Sequence, residues 1–290
     1  NKFYKIGAGQ ELRRITAKYV SKLDDFGDMQ LFPDKTIYSC IITLCKECNK
    51  QLQYTNVISL TDLWTGEEQE NIEIKNEMLD ENPWRLTTDI KFMKMIAKVE
   101  EHGKPLGEIV NIFNGIQTSA ERPKPVYWFS KDEIVSEKED EIIVDKFEKR
   151  YHIEKSILKP FFKPTKADEK GMGTYSILKT DKHIIFPYNA DGSLISIDVM
   201  KKEYPGTYQY LEDCYELLVP KCLNGGKGRD IKNATADTWY QYGRTQAITA
   251  FVNTPKLIVR ILSKDPMYAY DENNMLIASG GTAGYCAISK

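Results

Sequence analysis

Apolar positions alternate, run together and recur along the chain in ways that mark its elements. Glu11 to Val20 carries Leu12, Ile15 and Tyr19 or Val20 at helical spacing, which predicts a helix burying that face. Lys22–Phe26 and Thr36–Leu44 read as strands, the second β-branched and continuously apolar near its end, as in a buried sheet. Tyr54–Leu60 adds a further strand. Residues 66–83 lose the periodicity and fill with Glu, Asn and Asp, so the domain boundary is expected there. Thr87–Val99 regains it as a helix capped by Thr87 or Thr88, with Ile90, Met93 and Ile96 as the buried stripe.

Beyond that helix, Leu106–Phe113 leads into Gly115-Ile-Gln-Thr-Ser119, where the glycine suits a tight turn and the polar trio faces outward. Residues 131–148 read as an acidic, solvated stretch. Ile184–Tyr188 and Leu194–Ile197 flank Asn189-Ala-Asp-Gly192, the pattern of a hairpin. Tyr204–Leu218 is helical with Pro205 tolerated in its first turn, and Asn224–Asp230 follows as a flexible basic loop. No internal repeat is visible.

A chain of 290 residues that is 41% hydrophobic can bury a core and has room for two domains. No run of eighteen apolar residues exists, which argues against a membrane span, and the first residues lack a secretion-signal pattern. Six cysteines without framework spacing favour free thiols in a reducing cytoplasm. Cys45-Lys-Glu-Cys48 is a lone CxxC, and structural zinc needs four ligands that the scattered histidines His102, His152 and His183 do not supply; no metal is expected.

The net charge of −2 hides an asymmetry. Residues 1–150 hold 22 Lys and Arg against 27 Asp and Glu (22 − 27 = −5), whereas residues 151–290 hold 18 against 15 (18 − 15 = +3). A basic excess in one half is what a DNA-binding face within an acidic protein gives.

Chemistry concentrates in Trp239-Tyr-Gln-Tyr-Gly-Arg244-Thr-Gln246. Arg244 presents a fork that matches guanine O6 and N7 or clamps a phosphate, and Gln246 can pair with adenine. If the segment is extended, Tyr240, Tyr242, Arg244 and Gln246 share one face. The competing reading buries the tyrosines and pairs Arg244 with Asp237 or another carboxylate. Gln117, Thr118 and Ser119 are short polar groups suited to phosphate or base-edge hydrogen bonds, or to a turn.

These segments resemble the TaqI-like C-terminal specificity domain of adenine-N6 DNA methyltransferases and their fused restriction-modification enzymes. The earlier Leu12-Arg13, Asp25-Phe26-Gly27, Leu31-Phe32 and Ile41 to Lys46 resemble the end of the methyltransferase domain that precedes it. The late Ala278-Ser-Gly-Gly-Thr-Ala-Gly-Tyr285 is similar to a glycine-threonine segment near the end of the specificity module. The resemblance implies an α/β edge of a methyltransferase sheet over 1–75, a linker over 76–86 and an α+β target-recognition domain over 87–290. It places Lys159, Tyr188, Lys256, Arg260, Lys264 and Thr282 at phosphate-positioning sites, beside the DNA-binding set Gln117, Thr118, Ser119, Tyr240, Tyr242, Arg244 and Gln246. Double-stranded DNA and the catalytic half of the same polypeptide are the implied partners.

The parent would use S-adenosylmethionine; no cofactor or catalytic residue is expected in this chain. The family's Asn-Pro-Pro-Tyr/Phe loop and glycine-rich cofactor loop do not occur here. Asn82-Pro83-Trp84 lacks the second proline, and Gly7-Ala-Gly9 is not GxGxxG. A nuclease reading of Pro33-Asp34 with Glu47-Cys-Asn-Lys50 fails on spacing, since ExxK replaces ExK. From another class, the alternative function is a protein-interaction or scaffold module whose aromatic-arginine surface binds protein.

Overall fold

Two compact units make up the chain, Asn1–Gly103 and Lys104–Lys290. The computed structural model describes residues 2–32, 37–65, 71–87, 89–163, 176–177, 180–245, 248–251, 254–260, 268–279 and 285–289.

The first unit is built on α1 (Gln10–Thr16), β1 (Val20–Asp25), β2 (Cys40–Leu44), β3 (Gln51–Asn56), α2 (Leu60–Thr65), β4 (Asn71–Lys75) and α3 (Ile90–His102). Its sheet runs β2-β1-β3-β4, with β1 and β3 parallel and the outer pairs antiparallel. Leu23, Leu52 and Tyr54 from the sheet pack with Phe3, Tyr4, Leu79 and Trp84 in a small core.

Several expectations for this unit are corrected. Helix α1 buries Arg13 and Thr16 and exposes Leu12 and Ile15, the reverse of the expected face. Arg13 explains the inversion: its guanidinium donates to the Phe3, Ile6 and Glu81 carbonyls, tying the N-terminal turn to residue 81. Strand β2, expected to be buried, lies at the sheet edge with Ile41 and Leu44 exposed. The acidic stretch taken for a boundary contains β4, whose Ile72 and Ile74 pack on the core while its polar residues alternate outward. Residues 76–86 are part of the unit rather than a linker, since Asn76 donates to the Ala17 and Val20 carbonyls and Trp84 is buried. The division falls after Gly103. Helix α3 starts at an Asp89 cap, which accepts from the Phe92 N–H, and it has no buried residues: Ile90 is exposed, while Met93 and Ile96 are half-buried.

The second unit carries α4 (Leu106–Ile109), β5 (Asn111–Asn114), β6 (Trp128–Phe129), β7 (Ile134–Glu137), β8 (Glu141–Lys146), β9 (Lys149–Glu154), β10 (Leu158–Phe162), β11 (Ser176–Ile177) and β12 (His183–Ile185). Then come α5 (Ile197–Glu203), α6 (Pro205–Asp213), α7 (Tyr215–Leu218), β13 (Lys256–Arg260), β14 (Tyr268–Asp271), β15 (Leu276–Ile277) and β16 (Tyr285–Ser289). They form sheets ordered β11-β14-β13-β16-β5, β15-β10-β12-β6 and β7-β8-β9. Pro205 opens α6 at its first position, where a missing N–H costs nothing.

The acidic residues 131–148 are solvated along 135–140 but not throughout. They include the β7–β8 ladder, with Ile142, Val144 and Lys146 buried on one face and Glu141 and Asp145 on the other. Gly115 serves close packing rather than a turn: a Cβ there would lie 2.4 Å from the Ile277 carbonyl oxygen. The core is rich in tyrosine, and four buried hydroxyls donate to carbonyls, as burial demands. Tyr127 donates to Tyr240 O at 2.8 Å, Tyr210 to Val126 O, Tyr240 to Ile195 O and Tyr242 to Ile185 O.

Candidate nucleic-acid interface

Two segments far apart in sequence meet at the edge of this core. Gln117 and Arg244 form an antiparallel bridge: the Gln117 N–H donates to Arg244 O at 3.2 Å, and the Arg244 N–H donates to Gln117 O at 3.0 Å. The Gly243 N–H adds a bond to Thr118 O at 3.2 Å. Ser119 then turns into the left-handed region at φ 57°, an uncommon conformation for a residue with a Cβ. Its side chain fits only because residue 243 is glycine, where a Cβ would lie 2.0 Å from the Ser119 Oγ.

Beneath the bridge lies Arg229, 6% exposed, which donates to Leu218 O, to Trp239 O at 2.6 Å, to Gln241 O at 2.9 Å and to Thr118 O at 3.1 Å. The Tyr127 ring faces its guanidinium at 5.7 Å. One buried side chain thus fixes carbonyls on both segments that carry the edge. Beside it, Glu121 accepts from Thr118 Oγ1 at 2.8 Å, from Trp128 Nε1 at 3.2 Å and from the Lys163 ammonium. Burial opposes ionisation of this carboxyl, but the Lys163 charge and these hydrogen bonds outweigh it and hold its pKa below the ordinary carboxylate value.

What faces solvent is Arg244 and Ser119, with Gln117 half-buried. Among the described residues the Arg244 side chain makes no hydrogen bond or ion pair, and the alternative pair with Asp237 is not formed. An exposed guanidinium with its donors uncommitted can engage a base edge or a phosphate in two-point fashion.

The expected aromatic face is corrected. Residues 236–240 form turns rather than a strand, so period-two alternation does not apply, and Trp239, Tyr240 and Tyr242 are all buried. Burial pushes the Tyr240 and Tyr242 hydroxyls up, and the Tyr188 hydroxyl likewise. Tyr188 is core as well, accepting from the Tyr242 N–H at 2.7 Å. Thr118 is buried against Glu121 rather than turned outward.

Lys256 is corrected from a phosphate contact to a core ion pair, 2.6 Å from Asp271 with both side chains at 0% exposure. Lys159 is exposed on β10, and Arg260 is half-buried at the end of β13. Gln246, Lys264 and Thr282 lie outside the described residues. Sequence reasoning missed Arg229, Glu121 and Lys163; bonds from a side chain to distant carbonyls leave no spacing to read.

The charge asymmetry shrinks when counted by the observed units: 14 basic against 17 acidic residues in 1–103 (14 − 17 = −3) and 26 against 25 in 104–290 (26 − 25 = +1). Among the described residues no helix is long and apolar enough to cross a membrane.

By fold and site the chain is a two-unit protein of mixed sheets and helices, with an uncommitted arginine at the edge of the second unit. No family model matches it. Over an alignment of 301 residues that takes in 100% of the chain, it is 33% identical to the Type II restriction enzyme and methyltransferase RM.Eco57I of Escherichia coli. It is therefore a relative of a restriction-modification enzyme, and it spans 29% of that enzyme's length.

Proposed function

We propose that this chain is the part of an adenine-N6 methyltransferase or fused restriction-modification enzyme that recognises a DNA sequence. The observation that carries the reading is the match along its entire length to a restriction enzyme and methyltransferase. The exposed Arg244 beside Gln117 supports it, as a fork and an amide on a braced edge. Ser119, Lys159 and Arg260 are left for phosphate positioning, with Gln246, Lys264 and Thr282 as further contacts of the same kind or to bases. Tyr188, Tyr240, Tyr242, Thr118 and Lys256 build the scaffold instead.

In the parent enzyme a catalytic half of the same polypeptide transfers a methyl group from S-adenosylmethionine to adenine N6, on a base taken out of the stack. Residues of the first unit close the edge of that catalytic domain. The resemblance assigns the cofactor to that catalytic half, since the family's glycine-rich cofactor loop does not occur in this sequence.

Selection of random duplexes by the purified chain, followed by anisotropy titration of the hits, tests the reading. A recovered consensus is expected. Arg244→Ala then weakens cognate DNA by roughly 1–3 kcal/mol and random DNA much less. Equal weakening on both sequences would make Arg244 a phosphate contact, and failure to bind any duplex at low salt would overturn the proposal.

A further inference from the structure

Helix α3 (Ile90–His102) holds a row of cations that the recognition edge does not use. Lys91, Lys94 and Lys98 recur at i, i+3 and i+7, which places them along one helix face. All three are exposed, and among the described residues none has an ion-pair partner. Of the helix's acidic residues, Glu101 follows Lys98 at i+3 and closes the row, and the others are engaged elsewhere. Asp89 caps the N-terminus, Glu100 is paired with Arg85, and Glu101 neighbours His102 at 4.0 Å. Three lysines against one glutamate leave the face net basic.

At a rise of about 1.5 Å per residue, the seven-residue span from Lys91 to Lys98 covers roughly 10 Å. One DNA strand places a phosphate every ~3.4 Å along the axis, so the row matches a short run of phosphates on a single strand. We propose that Lys91, Lys94 and Lys98 form a backbone-gripping face for duplex DNA, separate from the base-reading edge at Gln117 and Arg244. The proposal rests on the DNA-recognition reading and adds to it: the two surfaces divide the labour, α3 supplying affinity without sequence preference and Arg244 supplying discrimination.

The same helix exposes an apolar row, with Phe92 46%, Met95 54% and Val99 62% exposed. A basic amphipathic helix is also the pattern that lies on anionic membrane surfaces. The match to a restriction enzyme and methyltransferase favours DNA, and the membrane becomes an outcome of the test.

The test compares the intact chain with a variant carrying Lys91→Gln, Lys94→Gln and Lys98→Gln. All three positions are exposed, so the fold is not at stake. Binding to cognate and to random duplex is titrated by anisotropy between about 50 and 200 mM salt, where each neutralised phosphate contributes about −0.9 to the slope of log K against log salt. The variant should lose roughly 2–3 from the slope on both duplexes, weaken both by the same factor and keep their ratio.

A control with Lys131→Gln, Lys221→Gln and Lys232→Gln, exposed lysines of the second unit, removes the same formal charge and should shift the slope by less than about 1. An unchanged slope in the α3 variant, or an equal loss in the control, would overturn this proposal while leaving DNA recognition intact. Lysine-dependent flotation with anionic phosphatidylglycerol vesicles, together with an unchanged DNA slope, would overturn it in favour of a membrane surface. Absence of DNA binding by the unaltered chain would overturn the recognition reading itself.

Discussion

Replacing Arg229 with methionine keeps much of the apolar stem and removes its five donors. Four carbonyls, those of Leu218, Thr118, Trp239 and Gln241, then lose their partner in a region with little access to water. A hydrogen bond to a charged group contributes roughly 1.5–3 kcal/mol net, so four come to roughly 6–12 kcal/mol. Burying the guanidinium costs several kcal/mol in return, which leaves a loss of roughly 3–5 kcal/mol when it is removed. For a unit of this size that corresponds to a drop in Tm of roughly 6–20 °C.

Urea unfolding followed by tryptophan fluorescence reads the change, because Trp239 sits in the clamp itself. Arg229→Lys should fall between wild type and Arg229→Met: it keeps the charge but cannot reach all four acceptors from one nitrogen. The clamp also holds the two segments that bridge Gln117 to Arg244, so under conditions where Arg229→Lys remains folded its ratio of cognate to random DNA binding should decline. A loss below about 1 kcal/mol for Arg229→Met would refute this reasoning, since it would mean that four buried carbonyls can lose a charged donor at no cost.

Lys256→Met should cost roughly 3–5 kcal/mol in urea unfolding, because it strands the Asp271 carboxylate with the Asn273 and Met275 N–H groups as its remaining partners. Combining it with Asp271→Asn should recover at least about 1 kcal/mol, and the salt slope of DNA binding should stay unchanged; a reduced slope would return Lys256 to the phosphate contacts. Glu121→Gln should flatten the acid limb of a stability-against-pH curve. Its folded pKa lies below the unfolded value of about 4.3, so the stabilisation it provides is present above that value and is lost as pH falls through the folded one. The difference between variant and wild type, less than about 1 kcal/mol because the side chain stays partly wet, should be largest near neutral pH and vanish in acid, as chemical denaturation at a series of pH values would register.

Helices and turns with strong local signals were legible in the sequence: Pro205 opens a helix where a proline should, and Asn189–Gly192 closes a turn between Phe186 and Ile195. The polar residues Gln117, Ser119 and Arg244 were legible as candidates, but their meeting across a bridge was not, because no local spacing encodes it. Burial was harder to read. Glu141, Asp145 and Lys146 in β8, within an acidic run, concealed Ile142 and Val144, because a strand with one wet face has the composition of a loop. The Leu12 and Ile15 stripe pointed outward because one arginine, Arg13, satisfied more carbonyls than either leucine or isoleucine could compensate by burying.

The tyrosines of 240–242 teach the sharpest lesson. Even spacing assigns residues to one face only when the backbone is extended, and a run of turns through 236–240 removes that condition. Once the chain coils, each hydroxyl is free to seek a carbonyl. The carbonyls it finds, at Ile195 and Ile185, belong to the walls of the core. A tyrosine-rich segment beside an arginine is therefore a weak sign of a stacking surface and a stronger sign of a rigid base for one. Here that base leaves Arg244, at the end of the coil, exposed and without a side-chain partner among the described residues.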